Sequence, residues 1–466
     1  MNSEVSSRVP WRAALSCIIS LFLATPVIYY CDVAAEVEGA TQSAPFVLPV
    51  VKRDSLLNGL QLLLLEQRST GTVAARLRVN TGGLFDLAGK GGLADLTAGM
   101  MLRGGGGLSA KNVADSVEQL GLTVTVTTGW DSTDIVFSGP ADALDSIFDV
   151  LGRLVITPDF DQKELESLKA QRIAAIKSEQ AVDVAEVKNR ALATVFGTHP
   201  YGRPLRGTAE SIAAITKADL QYFHSRYYAA NNAELVLIGD SSTEQLTRLS
   251  RAKLGSWKKA ERIAPTFRPV EPPKVRTISV LDRPGGSAIV ALAGVGFSRK
   301  ADDFFAAMVM CDLLQRDLSK VNSAIELQVE PRLLDGPLAI TLKSPTTGLS
   351  DVINAVLEAM GKLAATPQPV EQVEAAKSRL IEIMANRLKT NYGAAEVMLD
   401  IELYGLGRDY LINFADRVGV ISPAEVQRAA KTYLKPSTAA IVVGGPATEC
   451  EAALKSIGPV SLIKSP

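Results

Sequence analysis

Hydrophobic positions along the chain change period several times, and each change predicts an element. Leu60 to Leu65 is an apolar run just after Asn58-Gly59, a turn signal, and reads as a strand; Val73 to Val79 reads as a second. From Leu93 to Leu102 the spacing becomes helical. Ser109 suits a helix N-cap, and Val113, Val117 and Leu120 share one face of the helix it opens. Val124 and Val126 then alternate with Thr123, Thr125 and Thr127, the period of a strand, and Asp134 to Ser138 makes another. Asp161 and Glu164 have capping-box spacing and open a long helix with Leu165, Leu168 and Ile176 inward. Strands mixed with long helices, without strict alternation, predict an α+β fold.

The pattern repeats. "ITKADLQYFHSRYYAANNAELVLIGD", residues 215–240, returns as "ISPAEVQRAAKTYLKPSTAAIVVGGP", residues 421–446, with no gap at an offset of 206. Ile215, Ala218, Gln221, Tyr227, Ala233, Val236 and Gly239 meet Ile421, Ala424, Gln427, Tyr433, Ala439, Val442 and Gly445. Both copies read as helix, turn and buried strand. Upstream, Glu166 and Lys169 match Glu374 and Lys377 at an offset of 208. A charged, proline-bearing stretch, 258–274, separates the copies. The chain therefore divides into an N-terminal segment (1–35), a tether (36–49), a first domain (50–257), the linker (258–274) and a homologous second domain (275–460).

Composition removes several function classes. Of 466 residues, 47% are hydrophobic, which excludes a disordered chain. With 49 basic and 50 acidic side chains there is no electrostatic footprint for nucleic acid. Arg8 and Arg12 precede an apolar stretch from Ala13 to Tyr30, and Val33-Ala34-Ala35 suits signal cleavage. The expected location is extracytoplasmic, in the periplasm, with the segment either cut after Ala35 or kept as an anchor, the chain's one link to a membrane. Cys17 and Cys31 belong to that segment. Cys311 shares a helical face with Phe304 and Met308 and reads as a buried thiol; a disulfide with Cys450 stays open.

Candidate chemistry is sparse. Only two histidines exist, His199 and His224, too far apart in sequence for a compact two-histidine metal motif. His199, in a Thr-His-Pro-Tyr-Gly turn, reads as a loop hydrogen bonder, and His224, among Phe223 and Tyr227-Tyr228, as a core or boundary residue. Asp131 reads as a turn-fixing acceptor. The glycines at 89–92 and 104–107 lack a Gly-Lys-Ser/Thr ending and read as turns around a helix.

Several segments together resemble the pitrilysin or insulinase type of zinc peptidase, the mitochondrial processing peptidase superfamily. They are Asn58-Gly59 with its strands, "GGLFDLAGKGGLADLTAGMMLRGG" (82–105), "TTGWDST" (127–133), "THPYGRPLRG" (198–207) and "FHSRYYAANNAELVLIGD" (223–240). The resemblance implies two domains, each a mostly antiparallel sheet packed by helices. It also implies a zinc motif, His-x-x-Glu-His, on the first helix, with a further glutamate ligand downstream. The register set by Gly92-Leu93-Ala94 puts Asp95, Ala98 and Gly99 at the motif positions and Ala174 or Ala175 near the downstream ligand. No catalytic or metal-ligating set is therefore expected, and zinc only in a partner chain. An arginine and tyrosine that the family draws from its second domain would fall near Arg316 and near Asn322 or Ser323. The expected role is a non-catalytic subunit that adds chamber wall and peptide binding to a zinc-bearing homologue. Val124, Thr125 and Val126 form the candidate edge strand for an extended peptide. A structural or peptide-binding envelope protein without a proteolytic partner is the alternative.

Overall fold

A computed structural model describes residues 50–463 apart from 68–69, 181–182, 262–265, 268 and 284. The N-terminal segment, and with it the signal or anchor expectation, lies outside the described residues. Among these residues no helix is long and apolar enough to cross a membrane.

Twelve strands make two six-stranded sheets. The first contains β1 (Lys52–Ser55), β2 (Gln61–Glu66), β3 (Thr72–Val79), β4 (Thr123–Thr128), β5 (Thr133–Pro140) and β6 (Ala233–Gly239), in the order β1-β2-β6-β3-β5-β4. The second contains β7 (Thr277–Asp282), β8 (Ser287–Val295), β9 (Glu326–Val329), β10 (Pro337–Pro345), β11 (Ala440–Gly445) and β12 (Val460–Ile463), in the order β9-β10-β8-β11-β7-β12. Both are mostly antiparallel; β2 runs parallel to β6, and β7 parallel to β11 and β12. The sixth place differs. In the first sheet the strand before β2 fills it, through a hairpin whose Gly59 has φ +89°. In the second it is filled by β12 from the end of the chain, so this sheet runs to Ile463, beyond the expected boundary at 460.

Helices repeat with the strands. The first half contributes α1 (Leu93–Met101), α2 (Gln162–Gln180), α3 (Asp183–Phe196) and α4 (Lys217–Tyr227); the second contributes α5 (Phe304–Val321), α6 (Val370–Leu388), α7 (Asn391–Leu403) and α8 (Pro423–Tyr433). The repeat is visible in its hydrogen bonds. Thr216 with Asp219, and Ser422 with Glu425, close the same capping box at the starts of α4 and α8. Lys169 donates to the Ile215 carbonyl at 3.1 Å, and Lys377 to that of Ile421 at 3.3 Å. Asp161 caps α2, accepting from Lys163 and Glu164 N–H, but the Glu164 side chain turns away to Arg103. The box expected there is half made.

The halves exchange helices. On one face of each sheet lie helices of its own half; the other face is covered by a helix from the opposite half. α3 lays Val187, Ala191 and Val195 against Ile289, Ala291 and Ala293 of β8 and Val442 of β11. In return α7 covers the first sheet, where it packs on β6. That face carries Arg76 and Arg78, both buried, alongside buried Asp134. Asp134 receives hydrogen bonds from Arg76 at 2.6 Å and from Arg78 at 2.7 and 2.8 Å, and Arg78 also reaches Asp400 of α7 at 2.7 Å. Burial alone would raise the Asp134 carboxyl, but the two guanidiniums outweigh it and hold it at about 2.

A second contact binds the halves at the turn between β4 and β5. The buried carboxylate of Asp131 accepts from Tyr201 Oη at 3.3 Å, from Tyr404 Oη at 2.9 Å and from Leu333 N at 2.8 Å. The Arg332 guanidinium lies over Trp130 and Tyr201, 4.6 and 4.4 Å from the ring centres. Asp131 thus does more than fix a turn, since two of its donors come from the second half.

Candidate functional site

The site expected from the sequence sits on α1 and faces α2. Gly92 enters the helix at φ +88°, and a Cβ there would lie 2.6 Å from the Arg206 carbonyl, so only glycine allows this close entry. Asp86 then fixes the first turn. Its carboxylate accepts from Gly92 N and Ala94 N, both at 2.7 Å, and from Arg203 at 2.9 Å. Burial pushes Asp86 up to about 6, while Arg203 and the two N–H groups restrain the rise. Asp86 and Arg203 were missed as a pair in the sequence, although each lies in a segment that carries the family resemblance.

The motif positions come together as expected on one face, but their chemistry is different. Asp95 Oδ2 lies 2.7 Å from Arg172 Nε of α2, with both side chains mostly shielded from water. Ala98 is buried, and a Cβ on Gly99 would sit 3.0 Å from Leu168 Cδ2. Arg172 is therefore the α2 residue that meets Asp95; Ala175, the position expected to stand opposite, is half-buried three residues further on. Nothing in the sequence pairs these two residues, since 77 positions separate them. This donor set does not fit zinc. One carboxylate faces a permanent cation where a dication would need neutral or anionic donors.

The two histidines are occupied elsewhere. His199 Nδ1 accepts from Tyr201 N at 3.2 Å and caps a short 3-10 turn. His224 Nε2 lies 2.8 Å from the Val155 carbonyl, and its ring stacks on Tyr228. Burial lowers the pKa of both, in His199 with help from Arg332. Among the described residues no three His, Cys, Asp or Glu side chains group as a metal site. Cys311 and Cys450 are both buried free thiols. Arg316 stands half-exposed on α5, 3.9 Å from Asp312, and Asn322 ends that helix, its side chain accepting from Ala324 N.

Beside α1 runs the candidate peptide strand. α1 packs against β4, the outermost strand of the first sheet. β4 pairs with β5 on one side, Val124 with Phe137, Thr125 with Val136 and Val126 with Ile135. Among the described residues no strand pairs with its other side. Val124 and Val126 pack on the helical core, which holds the strand flat against α1.

A family model described as "Insulinase (Peptidase family M16)" matches residues 62–209, and one described as "Peptidase M16 inactive domain" matches residues 214–380. The chain belongs to peptidase family M16. Among curated proteins this M16 chain is similar to "Zinc protease PqqE" of Helicobacter pylori, 24% identical over 49% of this chain and 52% of that protein. It is also similar to "Non-peptidase homolog YmxG" of the same species, 29% identical over 34% of this chain and 38% of that protein. The matched stretch spans about half or less of these relatives. Among solved structures, the M16 inactive domain from Pseudomonas fluorescens superposes with a TM-score of 0.76 at 22% identity, over 85% of this chain and 98% of that one. The periplasmic protease PqqL from Escherichia coli gives 0.69 at 16% identity, over 89% of this chain and 49% of that one. At these identities the likeness is one of fold: two α+β domains of the M16 type.

Proposed function

We propose that this chain is a non-catalytic subunit of an M16 peptidase complex, contributing chamber wall and a peptide-binding edge to a zinc-bearing homologue. The observation that carries the reading is Asp95, Ala98 and Gly99 at the zinc-motif positions, with Asp95 paired to Arg172 of α2, in an otherwise intact two-domain scaffold. Without a bound metal no water is acidified, and Ala98 offers no base to accept its proton. What remains is the free edge of β4, where an extended peptide can add as a strand through backbone hydrogen bonds. The name of the Helicobacter YmxG relative, a non-peptidase homologue, supports the first half of this reading. The N-terminal segment and the periplasmic PqqL neighbour support an envelope location.

The test is reconstitution. The purified chain alone should not cleave unfolded peptides; mixing with a zinc-bearing M16 homologue from the same envelope should give chelator-sensitive cleavage. Thr125→Pro should lower that cleavage by weakening strand addition, while Asp95→Ala should leave it nearly unchanged. Chelator-sensitive cleavage by the chain alone overturns the proposal. Failure to bind any zinc-bearing homologue transfers the role to an envelope peptide-binding protein.

A further inference from the structure

The two halves differ at one equivalent place, the end of β3 in the first and of β8 in the second. In the first half, Val79 ends β3 fully buried, opposite Thr133 and Ala233. The space next to Tyr227 is then closed by the chain itself. Ala230 N donates to the Lys258 carbonyl at 3.0 Å, and Asn231 exchanges hydrogen bonds of 2.8 and 3.0 Å with the backbone of Ala260. The start of the expected linker is thus docked on the first half, and only about 20 Å³ stays open beside it.

In the second half, Gly294 takes the position of Val79: it pairs with Leu338 and, one step past Ala293–Ala440, lies level with Ala439, the counterpart of Ala233. Beside Tyr433 the linker contributes one wall, through Phe267, Pro269, Val270 and Pro272, and leaves the space open. A cavity of about 560 Å³ results, walled by Leu292, Ile340 and Met360 on one side and Phe267 and Val270 on the other. That volume lies within the range of about 300–1,000 Å³ typical of ligand sites. A Cβ added to Gly294 would meet no atom within 4 Å, so the missing side chain opens directly onto this space.

We propose that this cavity binds an extended, apolar polypeptide segment of a partner protein, in the place where the first half holds its own residues 258–261. The polar groups around it favour a peptide over a fatty acyl chain. Asp335 and Lys435 stand exposed among the lining residues, and their side chains make no salt bridge or hydrogen bond among the described residues; the first can only accept and the second only donate. His199, engaged through Nδ1, keeps its proton on Nε2 and adds a second donor. A peptide backbone supplies N–H and C=O together and so meets both kinds of group; a fatty carboxylate would satisfy Lys435 and His199 but leave Asp335 facing like charge. This inference goes beyond the subunit reading and does not depend on β4 binding anything.

The test uses the full chain and a fluorescein-labelled, terminally blocked heptapeptide of alternating valine, phenylalanine and serine, followed by anisotropy. To remove the contribution of β4, titrations are made in the Thr125→Pro background, where one peptide per chain should still bind. Gly294→Leu fills the cavity, so it should keep or raise the melting temperature and weaken this binding by roughly tenfold or more. Lys435→Glu, which leaves the apolar walls untouched, should weaken it by a smaller factor. Unchanged affinity in a folded Gly294→Leu protein overturns the proposal. So does tighter binding of labelled dodecanoic acid than of the peptide, or no peptide binding in the Thr125→Pro background. If the Thr125→Pro protein and the wild type bind the same single peptide, β4 takes none, which counts against the subunit reading and leaves this proposal standing.

Discussion

The two sheets each receive a helix from the opposite half, at the same place in the repeat, and meet it by different physics. Where α3 lies on the second sheet the centre of the contact is aliphatic, Val187 and Val195 against Ile289 and Ala291, and its polar links, Glu186 with Arg283 and Lys188 with Gln328, involve single pairs. Where α7 lies on the first sheet, apolar residues such as Leu65, Val236 and Met398 share the contact with an ionic cluster, Arg76, Arg78 and Asp134 below and Glu396 and Asp400 above. An aliphatic contact tolerates small changes in spacing. A buried ion pair gains little net energy but becomes costly as soon as one partner is lost, because the other stays buried and charged. The same architecture is therefore less sensitive to substitution on one side than on the other.

That contrast can be broken first at its most exposed point, Asp134. Asp134→Ala leaves Arg76 and Arg78 facing each other without their shared anion and should cost about 3–5 kcal/mol in urea unfolding. A triple replacement, Arg76→Met, Arg78→Met and Asp134→Leu, should recover most of that loss; if it does not, the cluster contributes net stability and the contrast drawn above is wrong. On the aliphatic side Val187→Ala should cost about 2 kcal/mol, with no larger penalty from any neighbour left unpaired. Acid gives a reversible version of the first experiment. The folded pKa of Asp134 is depressed, so its contribution is complete above the unfolded value of about 3.9 and is lost as pH falls toward 2. Amide exchange at pH 2.5 should accordingly accelerate in β3, β5 and α7 before β8 and α3; simultaneous acceleration would show that the halves do not differ. The smallest effect is expected at Asp95. Asp95 is mostly shielded, but Arg172 keeps 26% of its side chain exposed and can turn to water once its partner is gone, so Asp95→Ala should cost about 1–2 kcal/mol and change the zinc content of chelator-free protein not at all.

Sequence alone was enough for the two-fold repeat, because the helix, turn and strand at 215–240 and 421–446 have kept both length and spacing. It was enough for the loss of the zinc motif too, since the two histidines stand 25 positions apart (224 − 199) and the motif needs them one helical turn apart. The crossing of α3 and α7 was not legible. An apolar stripe on a helix shows that it packs, not against which sheet. Arg76 and Arg78 alternate with Ala75 and Leu77, a pattern that ordinarily marks a strand with one wet face. Here both faces are covered, and the charges are met by a helix more than 300 residues later. The Val79-to-Gly294 exchange was hidden for another reason: at β3 and β8 the offset between the halves is 215, not 206, so the two positions do not align by the register that revealed the repeat.

The exchanged helices have a consequence for how the chain is made. A ribosome releases the strands of the first sheet before residue 240, yet the helix that shields Arg76, Arg78 and Val236 ends at Leu403. For about 160 residues of elongation the first half carries an uncovered sheet face with apolar and charged groups side by side, the kind of surface that misassociates or calls for a chaperone. Severing the chain in the linker should not yield two autonomous folding units but two fragments that mature only on meeting, each supplying the other's last layer.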